Sequence, residues 1–425
     1  MIVDADLHVP GDKSITHRAL LFAAFARGTS RIARALTSLD ARSSARVLRQ
    51  LGAAVSPLAP GRDIVVTGRG RFQRPAAVLH CGNSGTTSRL LLGLLAAHPF
   101  AATLTGDRSL RRRPMRRVTI PLELMGARCT FRGHDGLPLT VRGGTLRSLR
   151  YELPVSSAQL KSALLLAGVA GAVPVEVREP AGRSRDHTER MLRAFGYDVA
   201  DDGEWIRFAP TGRIAPASYE IPGDPSSAAF LLGAALLAEG GSLRLRDVGL
   251  NPTRTGFLRV IARMGGGVAV ENLRVAGGEP VGDLVVRPSG LRATEVAPGE
   301  IPGLIDEIPL LSVLASRAEG TTVFREVGEL RVKESDRLAL LAANLRAVGA
   351  RAEARGNTLT VQGGDAPPRG RVTTAGDHRL AMAFAVLGTV AGARVRVDDP
   401  DCAAVSFPRF HELLRALGAR RKRRS

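Results

Sequence analysis

"LRQLGAAV", residues 48–55, runs from a helix-like apolar stretch through a glycine into a short strand-forming segment. The same order recurs five more times, as "LELMGARCTF" (122–131), "MLRAFGYDV" (191–199), "IARMGGGVAV" (261–270), "LRAVGARAEA" (345–354) and "LLRALGAR" (413–420). The glycines are Gly52, Gly126, Gly196, Gly265, Gly349 and Gly418, separated by 74, 70, 69, 84 and 69 residues. Glycine is the residue expected just past a helix C-terminus, where the backbone turns left-handed. A period of about 70 residues exceeds that of the short solenoid repeats and reads as six copies of one compact α/β unit. It speaks for architecture and is silent about chemistry.

The chain has 425 residues, of which 44% are hydrophobic, and a mean hydropathy of +0.02, which suits a globular protein of more than one domain. The apolar run "LLLGLLAAHPFAATL" is broken by His98 and Pro99 and falls short of a bilayer span, so no membrane partner is expected. The start "MIVDADLHVPGDK" lacks the layout of a secretory signal. Cys81, Cys129 and Cys402 form no CxxC pair, which points to a reducing compartment, the cytoplasm, and to no zinc framework. The net charge of +20 admits a polyanion partner or a site for small anions. Aromatic residues are only 4%, leaving few stacking platforms, and the charge is spread, so small anions are favoured and no nucleic acid is expected. The one compact basic cluster is the tail Arg420 to Arg424.

Four loops rich in small residues lead straight into apolar helices: "PGDKSITHRALLFAAFARG", "CGNSGTTSRLLLGLLAA", "PVSSAQLKSALLLAG" and "PGDPSSAAFLLGAALLAEG". Capped helix starts of this kind present free N–H groups and a positive dipole end, which suits anions. One such loop alone is ordinary capping. Four, with basic residues and a glutamine in or beside them, point to phosphate or carboxylate binding. None matches the nucleotide-binding GxxxxGK[ST] pattern.

Among 60 basic residues only four are lysine (Lys13, Lys161, Lys333 and Lys422), leaving 56 arginines. Arginine is a permanently charged planar fork, whereas lysine is a compact point charge whose proton can be moved. Lys333 in "RVKESDR" (331–337) is therefore either chance or a position where a fork will not serve. Lys422, in the tail, shows that the arginine bias is not strict.

Other candidates carry charge near apolar sequence. "GDKSITHR" offers Lys13, Ser14 and Arg18, the last two sharing a helix face. "GDRSLRRRPMRR" (106–117) is a basic loop that Pro114 stiffens into a possible anion clamp. "SRDHTERMLRAFG" opens a helix with Arg185, Asp186, His187 and Glu189, the histidine reading as structural. Asp306 and Glu307 in "LIDEIPLL" are either carboxylates made basic by desolvation or a helix-start pair. In "RVKESDRLALLAANLRAVG", Lys333 and Glu334 precede a helix with the apolar stripe Leu338, Leu341, Leu345 and Val348, and Arg337 projects from its first turn. "AGDHRLAMAFAVLG" repeats the design with Asp377, His378 and Arg379. No GxSxG elbow and no metal-ligand spacing appears, so neither a serine triad nor a metal is expected.

Taken together, "PGDKSITHRA", "GNSGTTSR", "RRPM", "SSAQLKSA", "RDHTERML", "GDPSSAAF", "NPTRTG", "RVKESDR", "DHRLAMAF" and "SFP" resemble, in order, the 5-enolpyruvylshikimate-3-phosphate synthase family. The resemblance covers essentially the whole chain. It implies an α/β (α+β) fold of two domains, an inside-out α/β barrel with six βαβαββ repeats, three per domain about a pseudo-threefold axis. The implied lobes are residues 1–11 with 225–425, and 12–224, with crossings near Gly11 and Asp224 and the active site in the cleft between them. The implied reaction moves the enolpyruvyl group of phosphoenolpyruvate onto the 5-hydroxyl of shikimate 3-phosphate and releases phosphate, without cofactor and in a monomer.

By the same resemblance, Lys13, Ser14, Arg18, Ser157, Ala158, Gln159, Arg185, Asp306 and Lys333 hold shikimate 3-phosphate. Gly85, Arg113, Arg337 and Arg379 hold phosphoenolpyruvate, with Lys13 and Gln159 shared. Asp306 is assigned as base at the hydroxyl, Glu334 as acid and base at carbon, and Lys13 as support for phosphate departure. Val405 stands where many members carry a lysine before "SFP", and Gly85 implies ordinary sensitivity to glyphosate. Two rival readings are a UDP-N-acetylglucosamine enolpyruvyl transferase, whose cysteine loop has no counterpart here, and a non-catalytic polyanion-binding protein on the same fold.

Overall fold

The computed structural model describes residues 1–418. The chain forms two compact units. The first contains Met1–Pro10, Pro222–Val275 and the described residues from Pro280 onward; the second contains Gly11–Ile221 and the turn Ala276–Glu279. Each unit has its own apolar core.

One strand pattern recurs. In the second unit the sheet Leu79–His80, Ala101–Thr105, Leu139–Arg142, Arg128–Phe131 begins with a parallel pair and continues antiparallel. The sheet Leu149–Glu152, Val175–Arg178, Trp205–Ala209, Asp198–Asp201 repeats it. So, in the first unit, does Glu295–Val296, Thr321–Phe324, Thr358–Gln362, Arg351–Arg355. A parallel pair needs a crossover rather than a hairpin, and helices Gly85–Leu95, Ala158–Gly171 and Ile308–Ala315 supply it in these three. Helix His378–Leu387 does the same for the two-stranded sheet Arg369–Val372, Arg394–Val397.

The other two sheets take their opening strand from far away in sequence. Ile2–His8 lies parallel to Gly240–Gly249, and Ser218–Glu220 lies parallel to Arg27–Ala33. The chain passes between the units at Pro10/Gly11 and at Ile221/Pro222, as a repeated α/β unit begun by a distant strand demands, and twice more around the short turn Ala276–Glu279. Among the described residues the sheets are six separate ones, and none closes on itself.

Five repeat glycines behave as their position requires, with φ between 78° and 118° at Gly52, Gly126, Gly196, Gly265 and Gly349. Gly418 differs. It follows helix Phe410–Ala416 without entering the left-handed region, and its N–H bonds to the Arg415 carbonyl at 3.3 Å. The strand expected beyond it, and the basic cluster Arg420 to Arg424, lie outside the described residues.

The crossover helices are apolar on nearly every face because each is enclosed by its own unit. All twelve residues of Pro225–Leu236 are buried, as are ten of the fourteen in Ala158–Gly171. No helix among the described residues is long and apolar enough to cross a membrane. Helix Gly85–Leu95 meets helix Ala158–Gly171 at Gly93, where an added Cβ would lie 2.0 Å from the Ala163 carbonyl oxygen. These two helices carry Gly85 and Gln159 at their starts, so their spacing sets the spacing of those residues. Gly93→Val should push the helices apart and cost about 1–3 kcal/mol, as overpacking does. Chemical denaturation would read that loss, and an unchanged midpoint would show that the approach is not constrained.

Candidate functional site

Each of the four capped starts expected from the sequence is present. Asp12 accepts a hydrogen bond from the Ile15 N–H at 2.8 Å, Ser84 from Thr87, Ser157 from Leu160, and Asp224 from both Ser226 and Ser227. Two of the caps are aspartates, so the capping group itself is anionic at those starts.

In the second unit, Lys13 opens helix Lys13–Phe25 and is ion-paired with buried Asp40 from helix Leu39–Gln50. One turn on, Arg18 is buried. Its Nε donates to Thr188 Oγ1 at 2.6 Å, Nη2 to Ser162 Oγ at 2.7 Å and Nη1 to the Ser14 carbonyl at 3.1 Å. Burial lowers its pKa to about 10, partly countered by Glu189, which still leaves it charged at neutral pH. Arg185 Nη1 donates to Ser14 Oγ at 3.4 Å. Ser14, Arg18 and Arg185 are thus brought together, beside the helix that starts with Ser157, Ala158 and Gln159.

A second group in this unit surrounds Gly85. Gln159 accepts from Arg89 Nη1 at 2.6 Å through Oε1 and donates to Thr86 Oγ1 at 3.0 Å through Nε2. Arg113 Nη2 donates to Asn83 Oδ1 at 2.6 Å. A Cβ on Gly85 would stand 3.0 Å from Arg89 Nη1, 3.2 Å from Arg113 Nη1 and 3.8 Å from Gln159 Oε1. Gly85, Arg113 and Gln159 therefore share one small space, which the absent side chain keeps open. The basic loop resolves into two short helices, Arg108–Arg111 and Arg116–Met125, with Pro114 between them.

In the first unit, Arg337 starts helix Arg337–Ala347. The sequence reading has it projecting from the first turn; the structure instead buries it completely. The reason is a shell of carboxylates. Arg337 Nε donates to Asp377 Oδ2 at 2.9 Å and Nη2 to Glu334 Oε2 at 2.6 Å, while Nη1 lies 3.7 Å from Asp306 Oδ1. Burial alone would lower its pKa, but Asp377, Glu334 and Asp306 raise it further above its already high value. Nη1 itself makes no hydrogen bond.

Asp306 also faces Arg379, whose Nη2 is 3.5 Å from Oδ2 and whose Nη1 donates to the Asp306 carbonyl at 3.0 Å. Glu307 is buried at the N-cap of helix Ile308–Ala315, where it accepts from Ser226 Oγ, itself bonded by Arg254 Nη2 at 2.7 Å. Of the two acids in "LIDEIPLL", Glu307 is thus enclosed in an internal network, and Asp306 is the one that keeps partial exposure. Lys333 is partly buried at the end of the turn Gly328–Val332. Desolvation lowers its pKa, against the opposing pull of Asp306 and Glu329. Asp306, Lys333, Glu334, Arg337 and Arg379 therefore form one electrostatic group. Val405 ends the turn Pro400–Val405.

Several residues in these groups had no role assigned from sequence: Asp40, Asn83, Arg89, Ser226, Arg254 and Asp377. Ser226, Arg254 and Asp377 sat in quoted motifs, but their partners are 28 to 81 residues away. Only charge complementarity among those motifs could have paired them. Among the described residues no cluster of three or more His, Cys, Asp or Glu could hold a metal ion. Neither group contains a nucleophilic thiol: Cys81 is buried and its pKa is pushed up to about 12.

The family model "EPSP synthase (3-phosphoshikimate 1-carboxyvinyltransferase)" matches residues 2–414. A 3-phosphoshikimate 1-carboxyvinyltransferase of Gloeobacter violaceus is 49% identical over 415 residues, covering 97% of this chain and 96% of its own. The protein of the same name from Thermus thermophilus is 49% identical over 417 residues, with 97% and 96% covered. The solved EPSP synthase of Acinetobacter baumannii superposes with a TM-score of 0.85 at 39% identity over 98% of this chain and 96% of that one. The enolpyruvyl transferase NikO of Streptomyces tendae shares the fold at a TM-score of 0.75 and 20% identity, over 98% and 95% of the two chains. With a family model spanning nearly all its residues and relatives near half identity along nearly their whole length, the chain belongs to the EPSP synthase family.

Proposed function

We infer that this chain transfers the enolpyruvyl group of phosphoenolpyruvate to the 5-hydroxyl of shikimate 3-phosphate, giving 5-enolpyruvylshikimate 3-phosphate and phosphate. The observation that carries the reading is the family match over residues 2–414. The UDP-N-acetylglucosamine reading is not favoured, since the matched relatives are named for the shikimate reaction.

Both substrates carry a phosphate and a carboxylate, so cationic groups must offset their mutual repulsion before any bond forms. The reading assigns Lys13, Ser14, Arg18, Ser157, Ala158, Gln159, Arg185, Asp306 and Lys333 to shikimate 3-phosphate. It assigns Lys13, Gly85, Arg113, Gln159, Arg337 and Arg379 to phosphoenolpyruvate. The adjacency of Ser14, Arg18 and Arg185, and of Gly85, Arg113 and Gln159, supports that division. For Arg337 the same role calls for its Nη1 edge, because Nε and Nη2 are taken by carboxylates.

Asp306 takes the proton of the 5-hydroxyl as that oxygen attacks C2 of phosphoenolpyruvate, and Glu334 delivers a proton to the methylene carbon. Glu334 then removes a proton from the new methyl group as the C–O bond to phosphate breaks, with Lys13 offsetting charge on the leaving phosphate; the proton held by Asp306 departs with the released phosphate, which restores the carboxylate. Lys333 donates to the substrate hydroxyl and, lying near Asp306 and Glu334, biases which of them holds a proton. A compact ammonium fits that place where a fork does not. The reading also places the chain in the cytoplasm as a monomer without a nucleic-acid partner, in keeping with 4% aromatic content and dispersed charge.

Phosphate release from phosphoenolpyruvate tests the reaction. It should depend on shikimate 3-phosphate and be insensitive to UDP-N-acetylglucosamine; the reverse dependence would overturn the assignment, and no release with either would leave only a non-catalytic role. For the lysine, Lys333→Arg should lower kcat/KM by at least about 100-fold, a loss of the size that misplacing one catalytic contact produces, while Arg331→Lys stays within about threefold. Equal activities of the two variants would remove Lys333 from the mechanism.

A further inference from the structure

Lys161 is one of three lysines among the described residues, and the reaction as derived does not use it. It lies on the second turn of helix Ala158–Gly171 with no exposed surface. Three oxygens surround its Nζ, which donates to Glu179 Oε2 at 3.0 Å and to the Ser184 carbonyl at 3.2 Å and forms an ion pair with Glu189 Oε1 at 2.8 Å. Three is the number of protons an ammonium can share. Burial would lower its pKa, but Glu189 and Glu179 more than reverse that, so it stays charged. Both carboxylates are buried as well. An uncompensated charge there would be costly, so all three groups are bound to each other's presence.

The neighbours of this cluster are the assigned substrate ligands. Ser184, next to Arg185, is held three ways: its N–H donates to Glu179 Oε2 at 3.1 Å, its hydroxyl donates to Glu179 Oε1, and its carbonyl accepts from Lys161. Ser162, next to Lys161, and Thr188, next to Glu189, are the two hydroxyls that accept from Arg18, and they bond to each other at 2.7 Å. Arg18 and Arg185 are thus both suspended from residues flanking one buried ammonium.

We propose that Lys161 is a positioning residue for shikimate 3-phosphate, fastening the segment 179–189 onto helix Ala158–Gly171 and thereby placing Arg18 and Arg185 where they meet the substrate's anionic groups. It touches no substrate itself. The proposal rests on the assignment of Arg18 and Arg185 as ligands of that substrate. It also accounts for a lysine in an arginine-biased chain, since a planar guanidinium does not converge on three oxygens around one nitrogen.

The test is steady-state kinetics of Lys161→Arg, with circular dichroism and elution volume confirming the fold. The KM for shikimate 3-phosphate should rise by about tenfold or more, while the KM for phosphoenolpyruvate stays within about twofold. A merely structural role would reduce stability or active fraction without separating the two constants, so unchanged or equally raised KM values in folded protein would overturn the proposal. Should Lys161→Arg fail to fold, Ser184→Ala removes only the hydroxyl bond to Glu179. It should raise the same KM several-fold, and no change there would equally overturn the proposal. Wild-type protein lacking any saturable response to shikimate 3-phosphate would sink the underlying reading and this one together, whereas a normal wild type with an indifferent variant sinks this one alone.

Discussion

The buried guanidinium of Arg337 and its carboxylate shell are the constraint on which the first unit's charged group depends. A charge without solvent exposure is tolerated only when opposite charges and hydrogen bonds replace water. Asp377 meets that need from the cap of one helix, Glu334 from the turn preceding another, and Asp306 from the start of a third. Satisfying one arginine therefore draws three separate chain segments to one point. Lys333, Asp306 and Glu334 are members of those segments or their immediate neighbours. Breaking a buried pair by removing one partner typically costs about 3–5 kcal/mol, so the arrangement resists loosening.

The second unit reaches the same end by a different route. Its cations stand at starts of helices whose free N–H groups and dipoles already favour anions. Lys13 and Arg18 lie on the first two turns of one such helix, and Gln159 lies on the first turn of another. Helix spacing is set by a glycine-to-backbone approach at Gly93, and Arg18 is set by the hydroxyls of Ser162 and Thr188. Asp40 holds Lys13 in an ion pair within the protein itself. The arrangement is preorganised, which is what electrostatic stabilisation of developing charge requires.

Much of the fold was legible because its signals are local. A helix that ends in a left-handed glycine needs no distant information, and five of the six positions conform; Gly418, at the last described residue, does not. The capped starts were legible for the same reason. The interior location of Arg337 was not, because its principal partner Asp377 is 40 residues away and the apolar stripe of its own helix says nothing about the residue that opens it. The same limit hid the Lys161 cluster, where a lone lysine in an apolar helix is intelligible only once Glu179 and Glu189 are seen around it. Glu307, too, was ambiguous until Ser226 and Arg254 were placed against it.

If the Arg337 shell organises the acids and the lysine, then weakening it without touching either should stop the chemistry. Turnover of Asp377→Asn at saturating concentrations of both substrates measures this most directly, because asparagine keeps the shape and removes the charge. The account predicts a folded protein whose kcat falls by about 100-fold or more, as loss of alignment at reacting atoms does. A folded Asp377→Asn protein turning over at the wild-type rate would contradict it.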